Sequence, residues 1–265
     1  MTENKQDMSK IIAIANNRGR VGKTTTVAAL AYAWSAKGYK VLLVDLDSQA
    51  NLTQITSPTP LEDIELTVKE AIVYGVYGAQ PPITRLSKTL DLIPSGLELS
   101  NFENDVAGVL LREFLVTDML KKIKSNYDVI LIDCPPDLGL LTYNALVAAD
   151  HLVMTATADS LSYTGMLMIG GLAKRISENP RLNPELKISA VIVTKFKSNK
   201  RTNSFLQKIR DEIGPALIIP PVREDKKIQQ ATAFRQSIFQ YDPDGDATKD
   251  YQAVADVLEE RILKD

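Results

Sequence analysis

The chain has 265 residues, with 31 Lys and Arg against 33 Asp and Glu, a net charge of -2 and 45% hydrophobic residues. These values exclude disordered and fibrous proteins and predict a globular chain with a sizeable core. One cysteine, Cys134, and one histidine, His151, exclude an intramolecular disulfide, a thiolate cluster and a His pair for a catalytic metal. The near-neutral charge argues against a uniformly basic nucleic-acid binder, although it is compatible with a local basic patch.

The first residues and the most apolar stretch of the chain provide evidence on its cellular location. Residues 1–10 are charged rather than apolar, and the stretch 138–158 is interrupted by Asp150 and His151. Neither pattern is typical of a signal peptide or a membrane span. We therefore expect a cytoplasmic protein that contacts no membrane.

Short apolar runs rich in β-branched residues alternate with segments of helical periodicity. This pattern predicts a mostly parallel, doubly wound α/β sheet with helices on both faces. The predicted strands are 11–15, 41–45, 90–93, 129–133, 152–155 and 188–194, and the predicted helices are 24–37, 97–125, 140–149, 162–177, 202–212 and 247–263. Residues 53–94 contain five prolines and predict loops with one short helix. We expect a single domain over 1–265, with a short tail at 1–9 and no separate helix-turn-helix domain.

Residues 16–25 lie between the first predicted strand and the first predicted helix and read Asn-Asn-Arg-Gly-Arg-Val-Gly-Lys-Thr-Thr. Gly-Lys-Thr in this context is the core of a phosphate-binding loop. Backbone N–H groups bind phosphate oxygens, the lysine contacts the terminal phosphates and the hydroxyl ligates Mg²⁺. The strict pattern has glycine five residues before Gly22, where this chain has Asn17. The loop is therefore a deviant match.

Two more polar segments follow predicted strands. Residues 45–53 read Asp-Leu-Asp-Ser-Gln-Ala-Asn-Leu-Thr, and residues 127–136 read Tyr-Asp-Val-Ile-Leu-Ile-Asp-Cys-Pro-Pro, followed by Leu-Gly-Leu-Leu-Thr at 138–142. With the phosphate loop, they resemble the ParA/MinD family of deviant Walker A ATPases, whose loop reads Asn-x-Lys-Gly-Gly-Val-Gly-Lys-Thr-Thr-Thr and whose switch reads Asp-x-Asp-Pro-Gln-Gly-Asn-x-Thr. Residues 236–243 also read like ParA. The resemblance covers nearly the whole chain and implies a P-loop NTPase fold that uses ATP and Mg²⁺.

The resemblance assigns roles to the charged and hydroxyl side chains of these motifs. It implies that Lys23 holds the β and γ phosphates, that Thr24 ligates Mg²⁺ and that Asp133 binds the metal through water. It also implies that Asp47 is the switch residue that orients the attacking water and lies near the metal. Asp45 is either a structural carboxylate or one that supports the site indirectly.

The two arginines of the loop depart from the family pattern. Arg18 stands at the signature lysine that contacts the phosphates bound by the partner subunit, and its planar guanidinium is a different group from a compact ammonium. Arg20 stands where the family has glycine, a residue that serves positive φ or close approach to phosphate. Arg20 either strains the loop and displaces the triphosphate or adds a phosphate contact. Because of these two departures, normal ATP turnover is not assured by the resemblance.

The nucleotide site that follows from the resemblance is a set of loop residues with two residues after a late strand. We expect base recognition around Pro220, Pro221 and Val222. The predicted nucleotide-binding residues are Arg18, Gly19, Arg20, Val21, Gly22, Lys23, Thr24, Thr25, Pro220 and Val222.

A basic segment in the last third of the chain provides a DNA-binding hypothesis. Residues 195–210 contain six basic residues and no acidic one. A basic run by itself is typical of a solvated helix face. The chain, however, resembles the short ParA class without a helix-turn-helix, which binds DNA non-specifically after ATP-dependent dimerisation, and Arg201 and Arg223 match the usual basic positions best. The predicted DNA-binding residues are Lys195, Lys197, Lys200, Arg201, Arg223, Lys226 and Lys227.

Three functions are compatible with these patterns. The first is a ParA-type ATPase that segregates DNA or positions a cargo: a nucleotide-sandwich homodimer that binds double-stranded DNA on the nucleoid and is released when a ParB-like or cargo-adaptor protein stimulates hydrolysis. The second is a nucleotide-binding regulator or scaffold with little hydrolysis, which Arg18 and Arg20 favour. The third is a MinD-like membrane switch, disfavoured by the acidic residues within 251–265.

Several single residues have simpler interpretations. We expect Trp34, Met154, Met166 and Met168 to lie in the core. His151 and Cys134 are interpreted as structural residues.

Overall fold

The computed structural model describes residues 9–75, 78, 80–214 and 217–264. Residues 1–8, which make up nearly all of the predicted tail, lie outside the described residues. Each of the six predicted strands is present, with ends that differ from the prediction by at most one residue. The strands are β1 Lys10–Ala15, β2 Val41–Asp45, β3 Thr84–Arg85, β4 Leu90–Ile93, β5 Val129–Asp133, β6 His151–Ala156 and β7 Lys187–Val193.

Helices cover both faces of this sheet. They are α1 Lys23–Ala36, α2 Asn51–Thr56, α3 Val68–Val73, α4 Phe102–Asp105, α5 Leu115–Lys121, α6 Leu140–Ala148, α7 Ser160–Ser177, α8 Lys200–Ile213, α9 Lys226–Ala233, α10 Ile238–Tyr241 and α11 Asp246–Leu258. One apolar core joins α1, α10 and α11 to one face of the sheet, and a second joins α3, α5, α6 and α7 to the other. The predicted α/β class with a doubly wound sheet is therefore confirmed.

The order of the strands brings three loops together. The sheet runs β3-β4-β2-β5-β1-β6-β7, and all neighbours are parallel except the short edge strand β3. Because β5 lies between β1 and β2, its last residue, Asp133, pairs with Asp45 at the end of β2 and with Ile14 near the end of β1. The carboxyl ends of parallel strands form the ligand-binding edge of such sheets. All three motif segments therefore reach the same edge of the sheet.

The prediction of one helix over residues 97–125 was wrong. The segment consists of short α- and 3-10-helical turns, and Leu111 interrupts it with a positive φ of 57°. A left-handed residue ends the i to i−4 hydrogen-bond ladder of a right-handed helix. The buried residues Leu99, Phe102 and Val106 still pack on the sheet. The periodicity therefore identified the buried side chains but not the continuity of the backbone.

Three further predictions of local structure need correction. The segment 53–94 contains α3 and the β3–β4 hairpin, and α2 overlaps its start, so it has more structure than one short helix. Helices α9 and α10 were not predicted at all. Met168 is 45% exposed because α7 turns the neighbouring Met166 and Ile169 toward the sheet. Trp34, Met154, Met166 and Cys134 are buried as expected.

The C-terminal helix α11 completes the core on the α1 face. Tyr251, Val254 and Leu258 are buried against this face, and the indole N–H of Trp34 donates to the Ala255 carbonyl oxygen at 3.1 Å. Lys37 at the end of α1 forms ion pairs with Asp256 and Glu259. The apolar face of α11 is thus occupied within the domain. Among the described residues, no helix has the length and apolar character to cross a membrane.

Candidate nucleotide-binding site

The loop between β1 and α1 is fixed by contacts on two sides. On one side, the Thr194 hydroxyl at the end of β7 donates to the Val21 carbonyl oxygen at 2.9 Å. Gly22, the N-cap of α1, has φ of 81°, and a Cβ on it would lie 3.2 Å from Cγ2 of Thr194. Both the left-handed conformation and the close approach require glycine here. Glycine at position 22 therefore has two physical causes.

On the other side, Asn16 ties the loop to β6 and α7. Its amide group is fully buried and donates to the carbonyl oxygens of Thr155 at 2.6 Å and Ser162 at 3.1 Å. Gly165 lets α7 approach the loop, since a Cβ on it would lie 2.4 Å from Oδ1 of Asn16. The loop is therefore hydrogen-bonded to β6, to α7 and to the residue that follows β7.

Lys23, the first residue of α1, directs its ammonium group into this loop. The residue is 6% exposed, and its Nζ donates to the carbonyl oxygens of Arg18 at 3.1 Å and Asn16 at 3.4 Å. Burial lowers the pKa of Lys23, while the negative charge of Asp133 opposes this effect. The first helical N–H groups of α1 face the same space and have no intrahelical partner. A phosphate group satisfies both the ammonium and these N–H groups.

Asp133 is a buried carboxylate whose two oxygens form no hydrogen bond of good geometry. The Thr24 hydroxyl and the Lys23 ammonium compensate its negative charge only in part. Burial, assisted by the neighbouring charge of Asp45, raises its pKa well above the ordinary value. A buried carboxylate without full compensation is costly unless a further cation compensates its charge. The carboxylate therefore fits a divalent cation. Since no cluster of three or more His, Cys, Asp or Glu side chains suited to a metal occurs in the described part of the chain, water and phosphate oxygens would complete the ligand shell, as is usual for Mg²⁺.

Asp45 organises the segment that carries Asp47. Its carboxylate accepts hydrogen bonds from the Thr53 amide at 2.9 Å, the Thr53 hydroxyl at 2.7 Å and the Asp47 amide at 3.1 Å. The Thr53 hydroxyl in turn accepts from the Ser95 amide at 2.9 Å, and the Ser95 hydroxyl donates to the Asp47 carbonyl oxygen at 2.8 Å. Asp45 is fully buried, so its role here is to position Asp47. Of the two interpretations offered for Asp45, these contacts favour indirect support of the site.

A cavity of about 520 Å³ lies between the loop, α2 and α9. Seven of the predicted nucleotide, metal and catalytic residues line it: Gly19, Arg20, Gly22, Lys23, Thr24, Thr25 and Asp47. Eight more lining residues had no predicted contact with a nucleotide: Gln49, Asn51, Ile55, Pro136, Lys195, Ile228, Gln229 and Thr232. Gln49, Asn51 and Pro136 belong to the quoted motifs, so a role for them was open to sequence reasoning. The α9 residues carried no such signal, because α9 itself was not predicted.

Five of these predicted residues do not line this cavity. One is Asp133, which is fully buried at the end of β5. Arg18 faces a neighbouring pocket, Val21 is 2% exposed, and Val222 is 1% exposed beside an exposed Pro220. Neither Pro220 nor Val222 lines the cavity of the phosphate loop. Contact between these two residues and a base stays a prediction. The lining by Ile228, Gln229 and Thr232 makes α9 a second candidate for that contact.

Arg20 has the backbone conformation that glycine would adopt more easily. Its φ is 64°, in the left-handed region that non-glycine residues rarely occupy. Its carbonyl oxygen accepts a hydrogen bond from Nζ of Lys195 at 2.8 Å. The sequence-based expectation that a family glycine here serves positive φ therefore agrees with the geometry.

The seven predicted DNA-binding residues divide into two groups. Four are engaged within the domain: Lys195 with the Arg20 carbonyl, Lys197 with Glu224, Arg223 with Asp246 and Asp250, and Lys227 with Asp242. Lys200, Arg201 and Lys226 are exposed, and none of them has an ion pair within the described residues. The basic sequence thus overstates how many cations are available to a partner.

Comparisons with known proteins agree with this site. A protein-family profile described as "AAA domain" matches residues 9–188. The sporulation initiation inhibitor protein Soj of Bacillus subtilis is 34% identical over 248 residues, which cover 89% of this chain and 92% of that protein. The chromosome partitioning protein ParA of Caulobacter vibrioides is 31% identical over 241 residues, covering 88% of this chain and 87% of that protein.

A solved structure shows the same likeness in three dimensions. Cobyrinic acid a,c-diamide synthase from Mycobacterium smegmatis, with bound ADP and magnesium, superposes with a TM-score of 0.80 at 27% identity, covering 96% of this chain and 95% of that one. The shared fold, the loop, the two carboxylate segments and the identity to Soj and ParA over most of both chains point to one family. The chain therefore belongs to the ParA/MinD family of P-loop ATPases, on the side of ParA and Soj.

Proposed function

We propose that this chain is a ParA-type ATPase that binds ATP with Mg²⁺, pairs as a nucleotide-sandwich homodimer and then binds double-stranded DNA without sequence preference. One observation carries the proposal. The buried ammonium of Lys23 and the buried, only partly compensated carboxylate of Asp133 lie at the edge of the sheet where Asp47 lines a cavity of about 520 Å³. A buried cation beside a buried anion that lacks a well-formed hydrogen bond suits a phosphate and a metal ion together.

The residues of the site divide the work of phosphoryl transfer. Lys23 and the N–H groups at the start of α1 bind the terminal phosphates, and Thr24 and Asp133 hold the metal, directly and through water. Bound Mg²⁺ supplies charge neutralisation on the phosphate oxygens. Asp47, held by the Asp45, Thr53 and Ser95 network, orients a water molecule at the rim of the cavity. Because phosphoryl transfer depends mainly on positioning and charge, no strong general base is required.

The proposed cycle uses DNA binding in the dimer and release by a partner. Exposed Lys200, Arg201 and Lys226 provide the first contacts with DNA phosphates. A ParB-like or cargo-adaptor protein stimulates hydrolysis, which shifts the population from DNA-bound dimer to free monomer. The protein then resides in the cytoplasm and associates with the nucleoid when it holds ATP.

The test measures ATP hydrolysis and DNA affinity together. We expect Mg²⁺-dependent hydrolysis by the parent protein, and DNA binding in fluorescence anisotropy that requires a slowly hydrolysed ATP analogue. Lys23→Ala should lose both, while Lys121→Ala on the distant helix α5 should change neither. DNA binding that is independent of nucleotide, or a protein that binds no nucleotide, contradicts the proposal.

A second candidate is a nucleotide-binding regulator with little hydrolysis, and one observation favours it. Arg20 holds a strained left-handed conformation in the phosphate loop, where a side chain stands in place of glycine. In this case the parent binds a fluorescent ATP analogue but hydrolyses ATP slowly, and Arg20→Gly raises the rate severalfold. Equal rates in the two proteins argue against this candidate.

A further inference from the structure

Lys195 belongs to the predicted DNA-binding residues, but the structure places it at the wall of the nucleotide cavity. It lies two residues after the end of β7. Between them, Thr194 donates its hydroxyl to the Val21 carbonyl oxygen and lies close to Gly22, so this end of β7 abuts the phosphate loop. Nζ of Lys195 donates to the Arg20 carbonyl oxygen at 2.8 Å. The ammonium group therefore lies at the phosphate loop.

Both partners of this hydrogen bond have a left-handed backbone. The angle φ is 64° at Arg20 and 51° at Lys195. Residues other than glycine seldom take this conformation, because Cβ crowds the following carbonyl oxygen. Such strain persists where the surrounding structure imposes it, and it is frequent at active sites and ligand clamps. Its presence at both ends of one hydrogen bond points to a functional contact.

The charged side chains of the cavity favour an anion. Among the described residues that line it, three are cations, Arg20, Lys23 and Lys195, and one is a carboxylate, Asp47. The exposed ammonium group of Lys195 has a neutral carbonyl oxygen as its acceptor in this contact. An ammonium group binds an ionised phosphate more strongly, because the attraction between opposite charges adds to the hydrogen bond. A phosphate in the cavity therefore competes with the Arg20 carbonyl for Lys195.

We propose that Lys195 is a ligand of the nucleotide phosphates, which exchanges the Arg20 carbonyl oxygen for a phosphate oxygen when ATP binds. This inference rests on the ATP binding proposed above and adds a residue from beyond the end of β7 to that site. It removes Lys195 from the predicted DNA contacts, since its ammonium group is occupied in the loaded protein. Lys195 also lines the pocket that Arg18 faces, so the nucleotide of the partner subunit is the alternative ligand.

The test measures the affinity of the full chain for a fluorescent, slowly hydrolysed ATP analogue. It is carried out at a protein concentration at which sedimentation shows the loaded protein to be monomeric. Lys195→Met keeps the length of the side chain and removes the ammonium group. We expect it to weaken binding severalfold and to make the affinity less dependent on salt, because one charged contact is lost. Lys195→Arg, which keeps the charge, should retain most of the affinity.

Lys122→Met is the matched control for this substitution. Nζ of Lys122 also donates to a backbone carbonyl oxygen, that of Gly75, at 2.8 Å, and neither residue lines the nucleotide cavity. The control loses the same charge and the same kind of hydrogen bond, so its nucleotide affinity and salt dependence should equal those of the parent. Because Lys195 is exposed, its substitution should leave the fold intact. Circular dichroism checks this, and Lys195→Gln repeats the test with a polar side chain.

A second measurement distinguishes the nucleotide from DNA as the ligand of Lys195. Each protein, saturated with the ATP analogue and Mg²⁺, is titrated with duplex DNA at several salt concentrations. The slope of log affinity against log salt should be the same for Lys195→Met and the parent, whereas Arg201→Gln should reduce it by about one. A reduced slope for Lys195→Met, with unchanged nucleotide affinity, would make Lys195 a DNA contact and overturn the proposal.

The outcomes separate this inference from the proposed function. If the parent binds ATP and Lys195→Met binds it equally well with the same salt dependence, the inference is wrong and the proposed function stands. If the affinity falls only at concentrations at which the protein dimerises, Lys195 contacts the nucleotide of the partner subunit and the inference is also wrong. Equal losses in Lys195→Met and Lys195→Arg would show that the side chain supports the loop rather than binding phosphate. If the parent binds no nucleotide, both the inference and the proposed function fail.

Discussion

Asp45 holds Thr53 with a single carboxylate oxygen, which accepts hydrogen bonds from both the amide and the hydroxyl of that residue, at 2.9 and 2.7 Å. Through Thr53 and then Ser95, the end of β2 is connected to the carbonyl group of Asp47. All four residues are buried. A residue eight positions along the chain from Asp45 thus fixes the position of the candidate switch residue.

The network predicts the behaviour of Thr53→Val, which keeps the shape of the side chain and removes the hydroxyl. The Ser95 amide loses its acceptor and Asp45 loses a donor, so we expect the free energy of unfolding to fall by about 1–3 kcal/mol. We also expect slower ATP hydrolysis at unchanged nucleotide affinity, because Asp47 is less well held.

Thr56→Val is the matched control for this experiment. Its hydroxyl is also buried in α2 but donates only to the Leu52 carbonyl oxygen, outside the network. Urea denaturation and hydrolysis rates are measured for both variants. Equal rates in the two variants would show that the network has no part in positioning Asp47.

Asp133→Asn tests the cation site through stability. In metal-free protein, burial raises the pKa of Asp133, so its folded-state pKa lies above the unfolded value. Below the unfolded pKa, near pH 4, the carboxyl is protonated in both states and the parent keeps this stability in full. As pH rises toward the folded pKa, the unfolded chain releases its proton first, and the parent loses stability. The variant avoids this loss. The free energy of unfolding of the variant minus that of the parent should therefore increase by up to about 1.4 kcal/mol per pH unit above pH 4.

Urea denaturation in EDTA from pH 5 to 8 measures this difference. Added Mg²⁺ with ATP should then stabilise the parent and have a much smaller effect on the variant, since the variant lacks the anionic ligand. A difference that does not change with pH would show that Asp133 carries no raised pKa. Equal stabilisation of both proteins by Mg²⁺ and ATP would remove Asp133 from the metal site.

Arg20→Gly and Arg20→Ala separate the backbone of Arg20 from its side chain. Glycine relieves the left-handed conformation, whose φ is 64°, whereas alanine keeps it and removes only the guanidinium. We expect Arg20→Gly to be more stable than Arg20→Ala by about 0.5–1 kcal/mol in thermal or urea unfolding. Equal stabilities would mean that the loop changes its conformation when the arginine is absent.

Arg201 and Arg223 should differ in their effect on DNA binding although both match basic positions of the family. Arg223 is held by Asp246 at 2.7 Å and by Asp250 at 2.7 Å, and these carboxylates raise its pKa further. Arg201 is exposed on the first turn of α8. Arg201→Gln should weaken binding to duplex DNA and reduce the salt slope by about one, and Arg223→Gln should do so less. Anisotropy titrations at several salt concentrations measure both effects, and a larger loss for Arg223→Gln contradicts the prediction.

The failure of the sequence to predict helix α9 has an identifiable cause. Helix α9 spans eight residues, of which only Ala231 is buried within it, so its sequence lacks the apolar periodicity that a helix prediction needs. It forms where Asp225 caps its first turn, and the rest of the domain decides its position. Since α9 supplies Ile228, Gln229 and Thr232 to the cavity, this part of the site was out of reach of sequence reasoning.

The sequence by itself determined six of the seven described strands, the phosphate loop and the two carboxylate segments, because apolar runs and turn residues are local signals along the chain. It also identified Arg20 as a residue at a glycine position. Only the tertiary structure decided that Asp45 supports Asp47 through Thr53 and Ser95, since hydrogen bonds between distant segments leave no periodic trace. The tertiary structure likewise decided which cations are exposed. Charge in a sequence is a sum, whereas its availability to a partner depends on which carboxylate the fold places next to each ammonium or guanidinium.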